Sequence, residues 1–341
     1  MNKKSKRKND LRSSIILLLI LLLLLISSTY AWFTANQTVT VSSLDVHIEA
    51  QNGLQISTDA TTWKSIIENT DITTGGYVGN TNQVPTSMEP VSTIGEIDEA
   101  TGNMKMYYGS VTADELDGGA YKLTATQEND AAGATGKYIA FDIFLRVDKD
   151  TPLKLTQASS VVMKEGNTDK GIKQASRVAF CIQGTESVGT ALSTITGLKG
   201  ATSFGEGGST VYIWEPNSNW HTAAAVAHAR DNYGITTTQS EDGTSVAKVP
   251  YYGINQEIGT GVKLMETNNG TDATHFTEVT PSWSTESDGD GVLKAEQNIF
   301  TLSSGITKAR VYMWIEGQDV DCENTASGTD ISFNLQFQVA E

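Results

Sequence analysis

The chain has 341 residues, 40 of them acidic against 24 basic, for a formal net charge of −16. So acidic a surface repels nucleic acid and anionic lipid, and neither is expected as a partner. With 31 glycines and only 19 % charged residues, the composition suits an extracellular all-β protein better than a helical enzyme.

The chain opens on a basic head, Lys3, Lys4, Lys6, Arg7, Lys8 and Arg12, followed by an unbroken apolar run of 12 residues, Ile15 to Ile26. That is short for a membrane span and fits the apolar stretch of a secretory signal. Thr29 and Ala31 supply small residues at the −3 and −1 positions of a cleavage site. Cleavage between Ala31 and Trp32 is expected, with residues 1–31 as signal peptide. The alternative is an uncleaved anchor, since Trp32 and Phe33 extend the apolar character.

Behind the junction, Val39 and Val41 alternate with threonines. Leu44, Val46 and Ile48 then alternate with Asp45, His47 and Glu49, and the phase slips by one across Ser42-Ser43. A slip of one residue marks a bulge, a bend, or two strands facing different partners. Residues 32–43 therefore read either as part of a bulged first strand or as a separate arm able to complete a neighbour's sheet by strand addition.

Alternation returns further on. Ile139, Phe141, Ile143, Leu145 and Val147 share one face, with Asp142 and Arg146 opposite. Val178, Phe180 and Ile182 share another face, and Val311, Met313 and Ile315 oppose Tyr312 and Trp314. In the last strand Ile331, Phe333, Leu335, Phe337 and Val339 alternate with Ser332, Asn334, Gln336 and Gln338. A strand with one polar face covers a core on one side and meets water on the other. The pattern predicts an all-β jelly roll or β-sandwich over 44–341, with long loop insertions and one or two short helices. The helices are expected at 185–196 and 221–230. The polar stretches from Thr70 to Asn103 and from Gly234 to Asp290 read as loops or hairpins, and an inserted subdomain about 187–300 is a further option.

Chemistry-bearing residues are few. Cys181 and Cys322 are the only cysteines, and an even count in an exported chain suggests one disulfide. The four histidines, His47, His221, His228 and His275, form no H-E-x-x-H motif, so a zinc protease is not expected. His221 and His228 read as a polar stripe on a short helix. No G-x-S-x-G elbow is present either. Glu286, Asp288 and Asp290, followed by Gly291, resemble the first oxygen ligands of a calcium loop. Gln297 stands at the twelfth position, however, where a bidentate Glu belongs, so the competing reading is a solvated acidic turn. Glu316, Asp319, Asp321 and Asn324 form another oxygen-rich loop, read as a turn beside Cys322. Tyr312 and Trp314, placed on outward strand faces, either offer a platform for a sugar or pack under a loop or against another subunit. Apart from calcium no cofactor is expected.

The junction Thr29-Tyr30-Ala31-Trp32-Phe33-Thr34, the segment Val41-Ser42-Ser43-Leu44-Asp45-Val46 and the closing Ile331–Ala340 resemble the TasA/camelysin family. These are exported proteins of Gram-positive bacteria, cut by a dedicated signal peptidase at a similar junction. The resemblance implies a jelly roll that polymerises into fibres of the biofilm matrix, each mature N-terminal arm inserting into the next subunit as a donor strand. Carried over, the plugs are Trp32, Phe33, Val39 and Val41. The implied partners are further copies of the chain, the signal peptidase during export, and other matrix proteins or polysaccharide. The chain departs from the family pattern in its length, its acidic loops and its two cysteines. A monomeric surface adhesin or carbohydrate-binding protein is the alternative, and a secreted metalloprotease is the least supported.

Overall fold

The computed structural model describes residues 39–40, 48–51, 53–114, 120–131, 133–200, 211–216, 221–223, 225, 227, 251–263, 274–284, 292–293, 295–322 and 330–339. Contacts divide the chain into two compact units, 1–31 and 32–341, and the first lies outside the described residues. Among the described residues no helix is long and apolar enough to cross a membrane.

Two six-stranded sheets pack face to face. The central sheet runs β16 (Trp283–Ser284), β12 (Val211–Glu215), β11 (Ser176–Glu186), β18 (Gly305–Ile315), β8 (Ile139–Val147) and β3 (Gln55–Ser57). The outer sheet runs β17 (Gln297–Leu302), β9 (Thr151–Leu155), β19 (Ile331–Val339), β2 (Ile48–Gln51) and β4 (Ile66–Ile67), with β10 (Ser160–Met163) also on β19. Between them lies the largest core cluster, into which Phe141, Phe180, Val311, Met313, Phe333 and Phe337 project. Phe180 meets Phe337 edge to face at 5.5 Å across the two sheets, the arrangement that ring quadrupoles favour. The polar residues of β19 are only partly buried, as its alternation predicts.

The chain is thus an all-β sandwich with short helices, the class its pattern predicts. Two pairings depart from a purely antiparallel sandwich: β2 lies parallel to β19, and β16 parallel to β12. The helices are α1 (Asn69–Thr74), α2 (Ile172–Ala175) and α3 (Leu192–Thr196). The last falls in the expected stretch 185–196. Ala223, Ala225 and Ala227 are helical in the other expected stretch.

The back of the central sheet is covered as well. Tyr138, Ala140, Ala179, Cys181, Tyr312 and Trp314 form a second cluster with Val91, Ile97, Met104 and Met106. A third layer follows, made of β6 (Met106–Asp114), β7 (Ala120–Glu128) and β14 (Ile258–Lys263), beside the pair β13 (Tyr251–Ile254) and β15 (Phe276–Val279). These pairs enclose a further small core containing Tyr107, Leu123, Ile254, Ile258 and Phe276. The described strands of 187–300 are shared among the central sheet, the outer sheet and this third layer with its neighbouring pair.

This cover decides between the two readings of Tyr312 and Trp314, and the same sheet overturns a second expectation. Tyr312 and Trp314 are fully buried, so they are not a sugar platform; the stretch read as loops, with Val91 and Ile97, lies over them. Nor are Cys181 and Cys322 bonded to each other. Cys181 shares the back of the central sheet with Ala179, while Cys322 packs in the core on the opposite face. A disulfide requires Cα atoms within about 7 Å and converging side chains, and a sheet between the two sulfurs prevents that. Alkylation of the denatured chain without reductant should therefore label both cysteines, as mass spectrometry would show; an unlabelled pair two mass units lighter, as a bridge gives, would contradict the structure.

The first strand stands apart from both large sheets. β1 (Val39–Thr40) pairs antiparallel with β5 (Ser87–Met88) through Val39–Met88 and Thr40–Ser87. Met88 is itself fully buried in the main core.

Candidate functional site

Two buried polar clusters grow from β18 and the turn behind it. The first centres on Arg310, whose side chain points to the back of the central sheet and is almost wholly buried. Its Nε donates to Asp130 Oδ2 at 2.8 Å, Nη1 to Asp142 Oδ1 at 2.8 Å, and Nη2 to the Thr81 carbonyl at 2.7 Å. Three tyrosines complete the carboxylates. Tyr312 donates to Asp130 Oδ2 at 2.9 Å, Tyr138 to Asp130 Oδ1 at 2.5 Å, and Tyr77 to Asp142 Oδ2 at 2.7 Å. Burial alone would raise the Asp142 carboxyl, but the charges of Arg310 and Lys308 hold it below its ordinary value. Lys308 donates to the carbonyls of Thr196 and Leu198 at 2.8 and 3.1 Å, and its burial lowers its ammonium pKa. The Cys181 thiol is pushed up to about 12 by burial, which keeps it from acting as a thiolate nucleophile.

Above this cluster opens a cleft of about 510 Å³, lined among others by Tyr77, Val78, Asn103, Glu128, Gln183 and Lys308. Its walls come from four places in the chain, the 77–81 segment, the 98–104 turn, residues 127–130 and the 193–199 stretch, above a floor from the central sheet. Gly102, at φ +76°, lets that turn press onto Lys199; a Cβ there would stand 2.2 Å from the Lys199 carbonyl oxygen, a contact no side chain tolerates.

The second cluster sits where β18 ends, in the turn read as an oxygen-rich loop. Its acids Glu316, Asp319 and Asp321 are buried. Arg177 bridges Glu215 and Asp319, at 2.5 Å to Asp319 Oδ2. His221 Nδ1 lies 2.6 Å from Asp321 Oδ2, while Asp321 Oδ1 accepts from the Thr222 amide and hydroxyl at 2.9 and 2.8 Å. His221 is therefore not part of an exposed stripe but a buried partner of Asp321. Burial works against a charge on its ring, and the Asp321 carboxylate outweighs that to raise its pKa. Glu316 accepts from Trp314 Nε1 and the Gln318 amide, both at 3.0 Å, and burial pushes it up to about 7. One ligand atom each from His221, Asp319 and Asp321 lies within 4.8 Å of the others, close enough for a metal. In this structure, however, the Arg177 guanidinium already pairs with Asp319 and the His221 ring with Asp321. The arrangement reads as a buried ion-pair and hydrogen-bond network that ties the 316–322 turn to β11 and β12.

Of the residues singled out in the sequence, Ala31, Trp32, Phe33, Val41, His47, His228, Glu286, Asp288, Asp290 and Asn324 lie outside the described residues. Of the expected plugs only Val39 is described, and its backbone pairs with Met88 of the same chain. Sequence reasoning missed Arg310, Asp142 and Asp130 altogether. The one local signal was an Arg and an Asp in otherwise apolar strands, where each charge requires a partner.

No protein-family model, curated protein or solved structure matches the chain.

Proposed function

We propose that this chain is an exported structural protein of the cell surface or extracellular matrix of a Gram-positive bacterium, belonging with the TasA/camelysin proteins. In this reading it assembles into fibres by donating its N-terminal arm, residues 32–43, to the next subunit, and it is not an enzyme. The observation that carries the reading is the pairing of β1. Among the described residues two pairs hold it to β5, and there it joins neither six-stranded sheet. So small a ladder, made within one chain, is exchanged at little cost for the same ladder made between chains. The strand that follows, β2, is by contrast built into the outer sheet between β19 and β4, which fixes the root of the arm. Trp32 and Phe33 supply the apolar area for a stable exchange, about 2–3 kcal/mol for each ring buried. Retention at the surface follows from assembly, with other matrix proteins or polysaccharide as further partners.

Negative-stain electron microscopy tests this directly. Protein beginning at Trp32 is expected to form filaments, while the same chain beginning at Leu44 stays monomeric. Trp32→Ala with Phe33→Ala should weaken assembly without unfolding the sandwich. Monodisperse particles from the protein beginning at Trp32 would sink the reading.

A further inference from the structure

We propose that the cleft above Arg310 is a binding site for a short neutral saccharide. The argument starts from Gln183. The register of β11 on β18 runs Ile182–Ala309 and then Gly184–Lys308, so Gln183 is the extra residue of a β-bulge. Bulges re-aim a side chain and recur beside binding sites. Gly184 makes the bulge possible by taking φ +127°. The displaced Gln183 side chain lines the cleft and is only 3 % exposed. Its Nε2 donates to the Gly102 carbonyl at 2.9 Å, while its Oε1 has no partner among the described residues. A buried amide oxygen without a donor costs roughly 1–3 kcal/mol, and a hydroxyl-bearing ligand removes that cost.

The rest of the lining selects the class. The cleft's size falls within the ~300–1,000 Å³ of small-molecule sites. Tyr77 and the fully exposed Val78 give it an apolar rim, while Asn103, Glu128 and Ser193 line it with hydrogen-bonding groups. A pyranose has the matching form, one face of C–H groups and an edge of hydroxyls. An anion is disfavoured: the cleft's carboxylates, Asp98, Glu128, Asp130 and Asp142, outnumber its cations, Lys199, Lys308 and Arg310. Those cations are also engaged, Lys199 by the Ala100 carbonyl, Lys308 by Thr196 and Leu198, and Arg310 by its two carboxylates. A metal or organic cation is disfavoured because Asp130 and Asp142 are already paired with two cations, Arg310 and Lys308. Neither Val39 nor Thr40 lines the cleft, and the binding test does not depend on assembly.

Saturation-transfer NMR on the full chain in mild detergent tests the proposal, with cellobiose, lactose and N,N′-diacetylchitobiose as probes and digalacturonate as the anionic comparator. At least one neutral disaccharide is expected to receive saturation on its ring C–H protons, with a Kd of about 0.1–1 mM, the range of weak single-site ligands. Val78→Asp changes only the exposed rim, and Gln183→Met keeps the volume while removing both polar atoms. Each should weaken binding about tenfold while leaving the fold intact by circular dichroism. Three results would overturn the site: no transfer to any neutral probe, undiminished binding in both variants, or preferred binding of digalacturonate.

Discussion

Arg310→Met should lower the unfolding free energy by about 3–5 kcal/mol, the range for removing one partner of a buried ion pair. Methionine fills similar space, so the loss is electrostatic and not a cavity. The guanidinium is the one group that touches both Asp130 and Asp142, and all three side chains are almost wholly buried. Without it Asp142 keeps Lys308 at 3.6 Å and the phenol of Tyr77, whereas Asp130 keeps only neutral phenols. Arg310→Lys should recover part of the loss, because it restores the charge but not the three-way fork. The double variant Arg310→Met with Asp130→Asn should be more stable than the sum of the two single losses, since a neutral amide no longer calls for the cation. Urea unfolding at neutral pH measures each step, and a single-variant loss below about 1 kcal/mol, the level of an exposed pair, would show that the cluster does not hold the third layer to the sandwich.

The second large effect is a fall in stability as pH rises from about 5 to 8. Glu316 has its carboxyl raised from an ordinary 4.5 to about 7 by burial, against the pull of its hydrogen bonds. The folded chain therefore binds that proton more tightly than the unfolded chain. Its contribution is complete below pH 4.5 and is lost as pH climbs through 7. A displacement of that size corresponds to about 3 kcal/mol. His221 acts in the same direction, because its raised pKa gives a contribution present below 6.5 and lost above it. The carboxyls held below their ordinary value, Asp59, Asp71 and Asp142, titrate under pH 3.8 and do not oppose the fall. Glu316→Gln should remove most of the slope between pH 5 and 7 and be more stable than the parent at pH 8. His221→Gln should leave that part of the slope and remove the part above 6.5. Thermal melts across this range decide it, and an unchanged slope in Glu316→Gln would show that Glu316 is not the titrating group.

Much of the sandwich was legible because strand burial has a period of two residues. In β19 every alternate residue from Ile331 to Val339 is buried and the others are partly exposed, as written. In β8 and β18 the same alternation placed Phe141 and Val311 correctly but misjudged their neighbours. Asp142, Tyr312 and Trp314 looked solvent-facing and are buried, because a strand's pattern does not say whether a second layer covers its back. That layer comes partly from 91–106, where Val91, Ile97, Met104 and Met106 are too widely spaced for any periodic signal yet all are buried.

The sequence by itself determined the class of the protein: the strands, the polar face of the outer sheet and the few short helices. Only the tertiary structure decided which charges meet. Arg310 finds Asp142 from 168 residues away, Arg177 finds Asp319 from 142, and His221 finds Asp321 from 100. Local pattern records that a charge in an apolar strand needs a partner. The partner's identity depends on strand order and register, which are set by the packing of the whole chain. The same register turned one residue of β11 into a bulge and aimed Gln183 at the cleft, and the same sheet placed Cys181 and Cys322 on opposite faces.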